Sequence, residues 1–474
     1  MVNVKDFSNI ERVIAFFEEF SAIPHGSSNT AGIAKYLTDF AKERGLFCLR
    51  DEYDNVLIRK PATKGLEDRP AVIIQGHTDM VAVKTQNSTK DLITEGIEIY
   101  RDGDFLRGKD TSLGGDDGIA IAYALAILDA DDIPHPKLEA LFTSDEEIGL
   151  IGASKFDASV LEGKIMLNID SDDDDVFTVG CAGGARVDVT LGVESEPVTE
   201  KAYTLTVSGG LGGHSGGEIN KGRSNAIKLG GAVISALGGV RIAALAGGAA
   251  DNAIARDFRA TIVTNEDIEE KFAKAAAEFT APYITVEPNL SVKLERCDAP
   301  NQATSSSDSE RIISLLCALP NGIQAMSENI AGLVETSLNT GIIELDNGEF
   351  HLTLSVRSAK SAKKQALIER IIAIGGEYGA SVSTRGEYPA WEYRENSHIR
   401  DTAVRVFKEM YNREPMVIII HAGLECGIFS DKIEGVDCIS MGPDNFDIHT
   451  TEEHLSLPSV SRFWEYLKEI LKQI

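Results

Sequence analysis

The sequence predicts an α/β fold: a mixed, mostly parallel sheet with helices on both faces, interrupted by an inserted α+β block. Three observations carry this. Short β-branched runs such as Val72-Ile73-Ile74 and Pro415 to Ile420 lack helical periodicity and read as strands buried on both faces, as in a parallel sheet. These runs alternate with amphipathic or alanine-rich helical segments, the pattern of a wound α/β sheet. Near Ala185 the character changes to half-buried alternation, and near 395 the first pattern resumes, so both chain ends close one core sheet. The expected organisation is a first part over 1–184, an inserted block over 185–394 and a returning part over 395–474.

Taken in order, Ile10, Val13, Ile14, Phe17 and Phe20, then Ile33, Tyr36, Leu37 and Phe40, fall at helical spacing and predict amphipathic helices over 8–22 and 30–44. Strands follow over 46–50, 55–59 and 71–76, and then a long polar connection from Val83 to Lys109 with hairpin-like pieces. A glycine-rich turn, Asp110 to Gly118, feeds an alanine-rich helix from Ile119 to Leu128 whose lack of polar residues requires burial. Lys137 to Thr143 and Lys164 to Ile169 are the next strands, the first followed by Ser144-Asp145-Glu146-Glu147 and the second by Asp170. In the inserted block, strands are expected over 201–207, 254–264, 331–345 and 349–357, with a hairpin turn at Asp346-Asn347-Gly348. Its helices are expected over 224–237, 266–278, 308–318 and 361–376. A final helix runs from Pro458 to Ile474.

Composition narrows the function. With 46 basic and 74 acidic residues the net charge is −28, which argues against nucleic acid and anionic membranes as partners. The six cysteines are scattered without a C-x-x-C pair, as in a reduced, cytoplasmic protein. No run of about 18 apolar residues predicts a spanning helix, and the start Met1 to Phe7 lacks the basic and apolar regions of a signal peptide.

The chemistry gathers at strand ends. His77 and Asp79 lie just past the run 71–76, at the sheet edge where α/β proteins bind ligands. Alone they would read as a surface histidine beside a capping acid, and Glu146-Glu147 as an acid pair at a helix start. Together with Asp116, Asp170 and His449 they form a set of two imidazoles and several carboxylates, a nitrogen and oxygen donor set without thiolate that suits zinc, cobalt or manganese. Two ions about 3.5–4 Å apart need a shared carboxylate, and Asp116, on a glycine-rich turn, is the natural bridge. That leaves one imidazole and one acid for each ion and one acid free as a general base; Glu147 is assigned to metal and Glu146 to the proton. The run Asp172 to Asp175 reads as a solvated acidic turn.

Gln75-Gly76-His77-Thr78-Asp79, Leu113-Gly114-Gly115-Asp116-Asp117-Gly118, Ser144-Asp145-Glu146-Glu147, Asn168-Ile169-Asp170, Gly213-His214-Ser215-Gly216, His421-Ala422-Gly423-Leu424-Glu425 and Gly442-Pro443 through His449 occur in this order over nearly the whole chain. This series resembles that of the aminoacyl-histidine dipeptidases, the peptidase D branch of the co-catalytic zinc dipeptidase and aminoacylase superfamily. The resemblance implies two divalent metal ions, zinc first, and a small peptide substrate of the Xaa-His type such as β-alanyl-histidine. It implies His77, Asp116 and Asp170 on one metal, Asp116, Glu147 and His449 on the other, Asp79 behind His77, Glu146 as general base, and a cis peptide between Asp116 and Asp117. The inserted block would be a lid carrying His214, Asn252 and Arg357 as substrate contacts, with Gly423 and Glu425 contributed after it. The lid would close over the substrate or reach across to a second copy of the chain, so a homodimer through it is one of two arrangements left open. The chain departs from the branch at Gly115, Asp117 and Ala255, where alanine, asparagine and proline are usual. The rivals are an aminoacylase or tripeptidase of the same superfamily and, in another class, a metal-binding interaction protein without catalysis.

Overall fold

Leu138–Thr143, Val72–His77, Ile165–Asn168 and Asp437–Ser440 run side by side and parallel at the centre of an eight-stranded sheet in this computed structural model, which describes residues 2–328, 330, 332–346 and 348–474. Their β-branched and apolar residues are buried on both faces throughout. Antiparallel strands flank this parallel centre: Val56–Lys60 and Phe47–Arg50 on one side, Val176–Cys181 on the other. Met416–Ile420, expected to be buried on both faces, is instead the outermost strand beyond Val176–Cys181, with Met416 and Val417 exposed because an edge strand is covered on one side only. The sheet is mixed with a parallel core, as expected.

The chain divides into two units, a first comprising residues up to Cys181, Tyr393–Ile419 and Leu424–Ile474, and a second comprising Ala182–Glu392 with Ile420–Gly423. In the first unit, the helices Glu11–Ser21 and Ala31–Glu43 bury the predicted apolar stripes. The alanine-rich helix is assigned over Gly115–Asp129, although Asp116 and Asp117 themselves have non-helical dihedrals. All its residues from Gly118 to Leu128 are buried, and its Tyr123 stacks on Trp464 at 5.8 Å while donating to the carbonyl of Val460 at 2.9 Å. Each fully buried isoleucine or leucine of this helix contributes about 1.5–3 kcal/mol. The last helix, Leu457–Gln473, starts at Ser456, whose side chain accepts the amide of Ser459.

The polar connection after residue 83 contains the hairpin Ile99–Asp102 and Phe105–Gly108. It joins Asn445–Phe446 and His454–Ser456 in a four-stranded sheet, which carries the segment between those last two strands to the turn at Leu113–Asp116. The acidic turn departs from expectation at Asp174, which is buried and accepts hydrogen bonds from Ser459 Oγ at 2.9 Å and Arg462 Nε at 2.8 Å. It staples the final helix instead of facing solvent. The helix His398–Tyr411 was not anticipated.

The second unit is built on a nine-stranded antiparallel sheet with the helices Ala226–Leu237, Glu269–Thr280, Ser306–Ala318 and Ser361–Glu377. Five strands of this sheet escaped the sequence reading: Gly183–Gly192, Arg241–Gly247, Gly322–Met326, Ser291–Cys297 and Ser381–Tyr388. The first of these carries a clear period of two, with Ala185, Val187, Val189 and Leu191 buried, and was readable. The last two are largely exposed edge strands with little apolar pattern to read. The strands Val334–Asp346 and Glu349–Ser358 pair up to Asp346 opposite Glu349; of the turn expected there, Asn347 lies outside the described residues.

Candidate metal centre

His77 is the last residue of the strand Val72–His77 and is 1% exposed. Its Nδ1 faces the backbone carbonyl of Asp79 at 2.9 Å, which makes Nδ1–H the donor and leaves Nε2 pointing out of the sheet edge. Nε2 lies 3.0 Å from Oδ1 of Asp116 and 3.9 Å from Oδ1 of Asp170. The other oxygen of Asp116, Oδ2, lies 3.1 Å from Nε2 of His449. Oε1 of Glu147 is buried and lies 2.8 Å from the same nitrogen, so one imidazole nitrogen faces two carboxylates at once, as groups gathered about a cation do.

His77, Asp116 and Asp170 each offer a donor atom within 4.8 Å of the others, and so do Asp116, Glu147 and His449; the two groups share only Asp116. His77, Glu146 and Glu147 also fall within that limit, so distance alone does not separate the two glutamates. The approach of Glu147 to His449 does. Burial drives the Asp170 carboxyl well up, and the nearby Asp117 and Asp116 charges add to this. Burial likewise pushes Glu146 up to about 8, with His77 opposing and Glu425 and Glu147 reinforcing the rise. A crowd of acids whose charge is this unfavourable fits a site for cations.

Asp79 serves the site differently from a simple partner of His77. Its Oδ1 accepts the amide of Glu146 at 2.9 Å, and its Oδ2 accepts Ser27 Oγ at 2.8 Å and the amide of Glu147 at 3.3 Å. One residue therefore ties the His77 strand end to the turn that presents both glutamates. Gly76 is required beside it, since a Cβ there would lie 2.4 Å from that of Ala120 and 2.5 Å from Oδ2 of Asp117. The peptide between Asp116 and Asp117 is cis, as the resemblance implies. Two of the departures also have a physical setting. Asp117 is buried, its carboxyl is pushed well up by burial, and its Oδ2 accepts the amide of His77 at 3.1 Å, an acceptor role an asparagine oxygen fills equally. A Cβ on Gly115 would lie 2.9 Å from the amide of Asn445, so asparagine there goes with glycine here.

The remaining expected residues are distributed over both units. His214 belongs to the second unit; its Nδ1 accepts the amide of Gly217 at 3.1 Å, which fixes Nε2–H as a free donor, and burial and Arg357 lower its pKa. Asn252 is exposed next to it, its carbonyl accepting the amide of Ser215 at 2.8 Å. Arg357 is buried in the strand Glu349–Ser358 and donates from Nη1 to the hydroxyl of Tyr388 at 2.8 Å. Gly423 packs against Tyr388, where a Cβ would come within 2.8 Å of the ring. Glu425 is 0% exposed and bonded through one oxygen to Gln75 and, at 2.6 Å, to Thr143 Oγ1, while its Oε1 has no hydrogen-bond partner.

The signature of peptidase family M20/M25/M40 matches residues 73–473. The chain belongs to this family. The M20 peptidase is 34% identical to the cytosol non-specific dipeptidase of Escherichia coli (strain K12) over 470 residues, 97% of this chain and 96% of that one. It superposes on the aminoacylhistidine dipeptidase of Vibrio alginolyticus with a TM-score of 0.89 at 32% identity, covering 98% and 96% of the two chains. A tripeptidase of Staphylococcus aureus shares the fold at a TM-score of 0.57 and 17% identity, each chain covered to 98%. The M20 peptidase is thus a hydrolase acting on peptide bonds, and among its described residues no helix is long and apolar enough to cross a membrane.

Sequence reasoning missed Glu453 of the M20 peptidase. It is 2% exposed and its carboxylate accepts the amides of Leu113, Gly114 and Gly115 at 2.8, 3.0 and 2.8 Å. These amides converge in a nest of the kind that binds anions, and Glu453 thereby shapes the turn that presents Asp116. Its position four residues after His449 was the only signal, and an acidic residue near a strand start ordinarily means nothing more than solubility.

Proposed function

We propose that this M20 peptidase is a dinuclear metallo-dipeptidase of the cytoplasm, cleaving small peptides with a free C-terminus, Xaa-His dipeptides among them, with zinc as the preferred metal. The observation that carries the reading is Asp116, whose two oxygens face two different imidazoles at 3.0 and 3.1 Å, each imidazole accompanied by one further carboxylate. We assign His77, Asp116 and Asp170 to one ion and Asp116, Glu147 and His449 to the other. Cations bound by these residues would supply Lewis-acid polarisation of the scissile carbonyl and a lowered pKa, towards about 7, for water. Glu146, kept out of both ligand sets, takes the proton of the attacking water and returns it to the leaving amine. In the second unit, the Nε2–H of His214 is the oxyanion donor and Arg357 holds the C-terminal carboxylate. The names of the relatives in E. coli and V. alginolyticus support the substrate class, and the former supports the compartment.

Metal analysis combined with rate measurements tests the reading. Stripped enzyme is expected to regain hydrolysis of β-alanyl-histidine and other aminoacyl-histidines as two equivalents of zinc are restored, with little turnover of N-acyl amino acids or tripeptides. Full activity at one equivalent, or a preference for N-acyl amino acids, overturns it. Arg357→Ala is expected to raise KM for free dipeptides much more than for their C-terminal amides, and His214→Ala to lower turnover of both. Equal penalties on free and amidated peptides from Arg357→Ala dismiss the clamp.

A further inference from the structure

The second unit holds a buried cation without a counterion. Arg357 is 8% exposed, its Nε–H has no partner, and among the described residues no carboxylate forms an ion pair with it, in a chain whose net charge is −28. A buried charge lacking a partner is strongly unfavourable, and buried N–H groups are nearly always satisfied. Such a group is retained where a ligand supplies what the protein withholds. The missing ligand is an anion that accepts hydrogen bonds.

A second unsatisfied group lies one residue away across the sheet. Ser337 pairs directly with Arg357 in the antiparallel ladder, and its Oγ is 2.7 Å from Nε2 of His421. His421 is also 8% exposed, and its Nδ1 has no partner. Although it follows the strand Met416–Ile420 of the first unit, the segment Ile420–Gly423 is built into the second. Ala182 N–H donates to the carbonyl of Ile420 at 3.1 Å, the His421 carbonyl closes on Gly216, where a Cβ would meet it at 2.2 Å, and Gly423 lies on the Tyr388 ring whose hydroxyl takes Nη1 of Arg357. The backbone that carries the imidazole is therefore held in place from several sides, and the ring itself by Ser337. Burial lowers its pKa to about 4, with the Arg357 guanidinium and the nearby His214 adding to the effect, so it is neutral at pH 7 and one ring nitrogen carries hydrogen. A Ser337 hydroxyl that donates to Nε2 places that hydrogen on Nδ1.

We propose that His421 is a specificity-determining residue of this peptidase, its Nδ1–H joining the Nε–H of Arg357 as the second buried donor to the C-terminal carboxylate of the substrate. The proposal rests on the reading of Arg357 as a carboxylate clamp and adds to it a neutral donor whose tautomer Ser337 sets. Neither Ser337 nor His421 carries charge, so the pair adds directional selectivity without adding to the repulsion around Arg357.

The two conservative replacements of histidine separate this role from a structural one. The amide nitrogen of asparagine falls near the position of Nδ1, and that of glutamine near Nε2. His421→Gln, which keeps the contact to Ser337 and loses the Nδ1 donor, is expected to raise KM for free dipeptides about tenfold or more, the worth of a hydrogen bond to a charged group. For the C-terminal amides of the same dipeptides the rise should be at least about fivefold smaller. His421→Asn should restore most of the discrimination between free and amidated substrates, and the zinc content of both variants should match the parent. Equal discrimination in parent and His421→Gln overturns the proposal, as does a loss in His421→Asn as large as in His421→Gln with both variants folded by circular dichroism. If Arg357→Ala abolishes discrimination and His421→Gln does not, the clamp stands and His421 has no part in it. A parent enzyme that cleaves no dipeptide overturns the functional reading instead.

Discussion

Glu146→Ala is expected to bind two equivalents of metal as the parent does and to lose at least about 10²-fold in turnover, since a positioned general base contributes roughly 10²–10⁴. Two features single out this side chain. Burial and the neighbouring acids hold its carboxyl up near 8 in the absence of metal, and cations at the adjacent ligand sets would bring it down into the range of a base at neutral pH. Its backbone is fixed by the bond from its amide to Oδ1 of Asp79 at 2.9 Å, so the side chain projects from a rigid turn. The measurement is kcat on a single dipeptide beside metal content after dialysis. A variant with parental kcat dismisses Glu146 as base, and one that loses a metal equivalent moves it into the ligand set, an outcome made concrete by its grouping with His77 and Glu147.

Asp116→Ala is expected to cost both ions. Each of its oxygens faces a different imidazole, so its removal leaves His77 with Asp170 and His449 with Glu147, two donors apiece from side chains that repel or misalign without a shared centre. Removal of outer partners of a ligand already costs roughly 10–100-fold in affinity, and loss of the bridge itself should exceed about 10²-fold at both positions. Competition with a chelator, followed by metal analysis, reads this directly. Retention of two equivalents at parental affinity excludes Asp116 as the bridge. Loss of one alone reduces it to an ordinary ligand.

Much of this arrangement was legible in the chain itself. The mostly apolar runs that end at His77 and Thr143, broken only by the buried Gln75 and Glu139, define parallel strands because burial on both faces leaves no polar alternation. The donor types that follow those runs are set by local sequence, and so are the capping Asn225 and Ser456, whose side chains bond amides two and three residues on. What local sequence does not carry is the pairing of groups far apart along it. Glu453 reaches the amide of Gly115 across 338 residues, and nothing in its neighbours announces the nest that receives it. Glu425 reads as an available acid beside a glycine, and its bonds to Gln75 and Thr143 exist only because the strand ends converge once the sheet has formed. The four residues Ile420–Gly423 sit in a stretch that otherwise belongs to the core sheet, and only the folded chain assigns them to the second unit, where His421 meets Ser337. Periodicity and residue type are short-range properties and determine which elements form and which chemistry they can present; which oxygen faces which imidazole is decided by packing between segments that the chain separates by hundreds of positions.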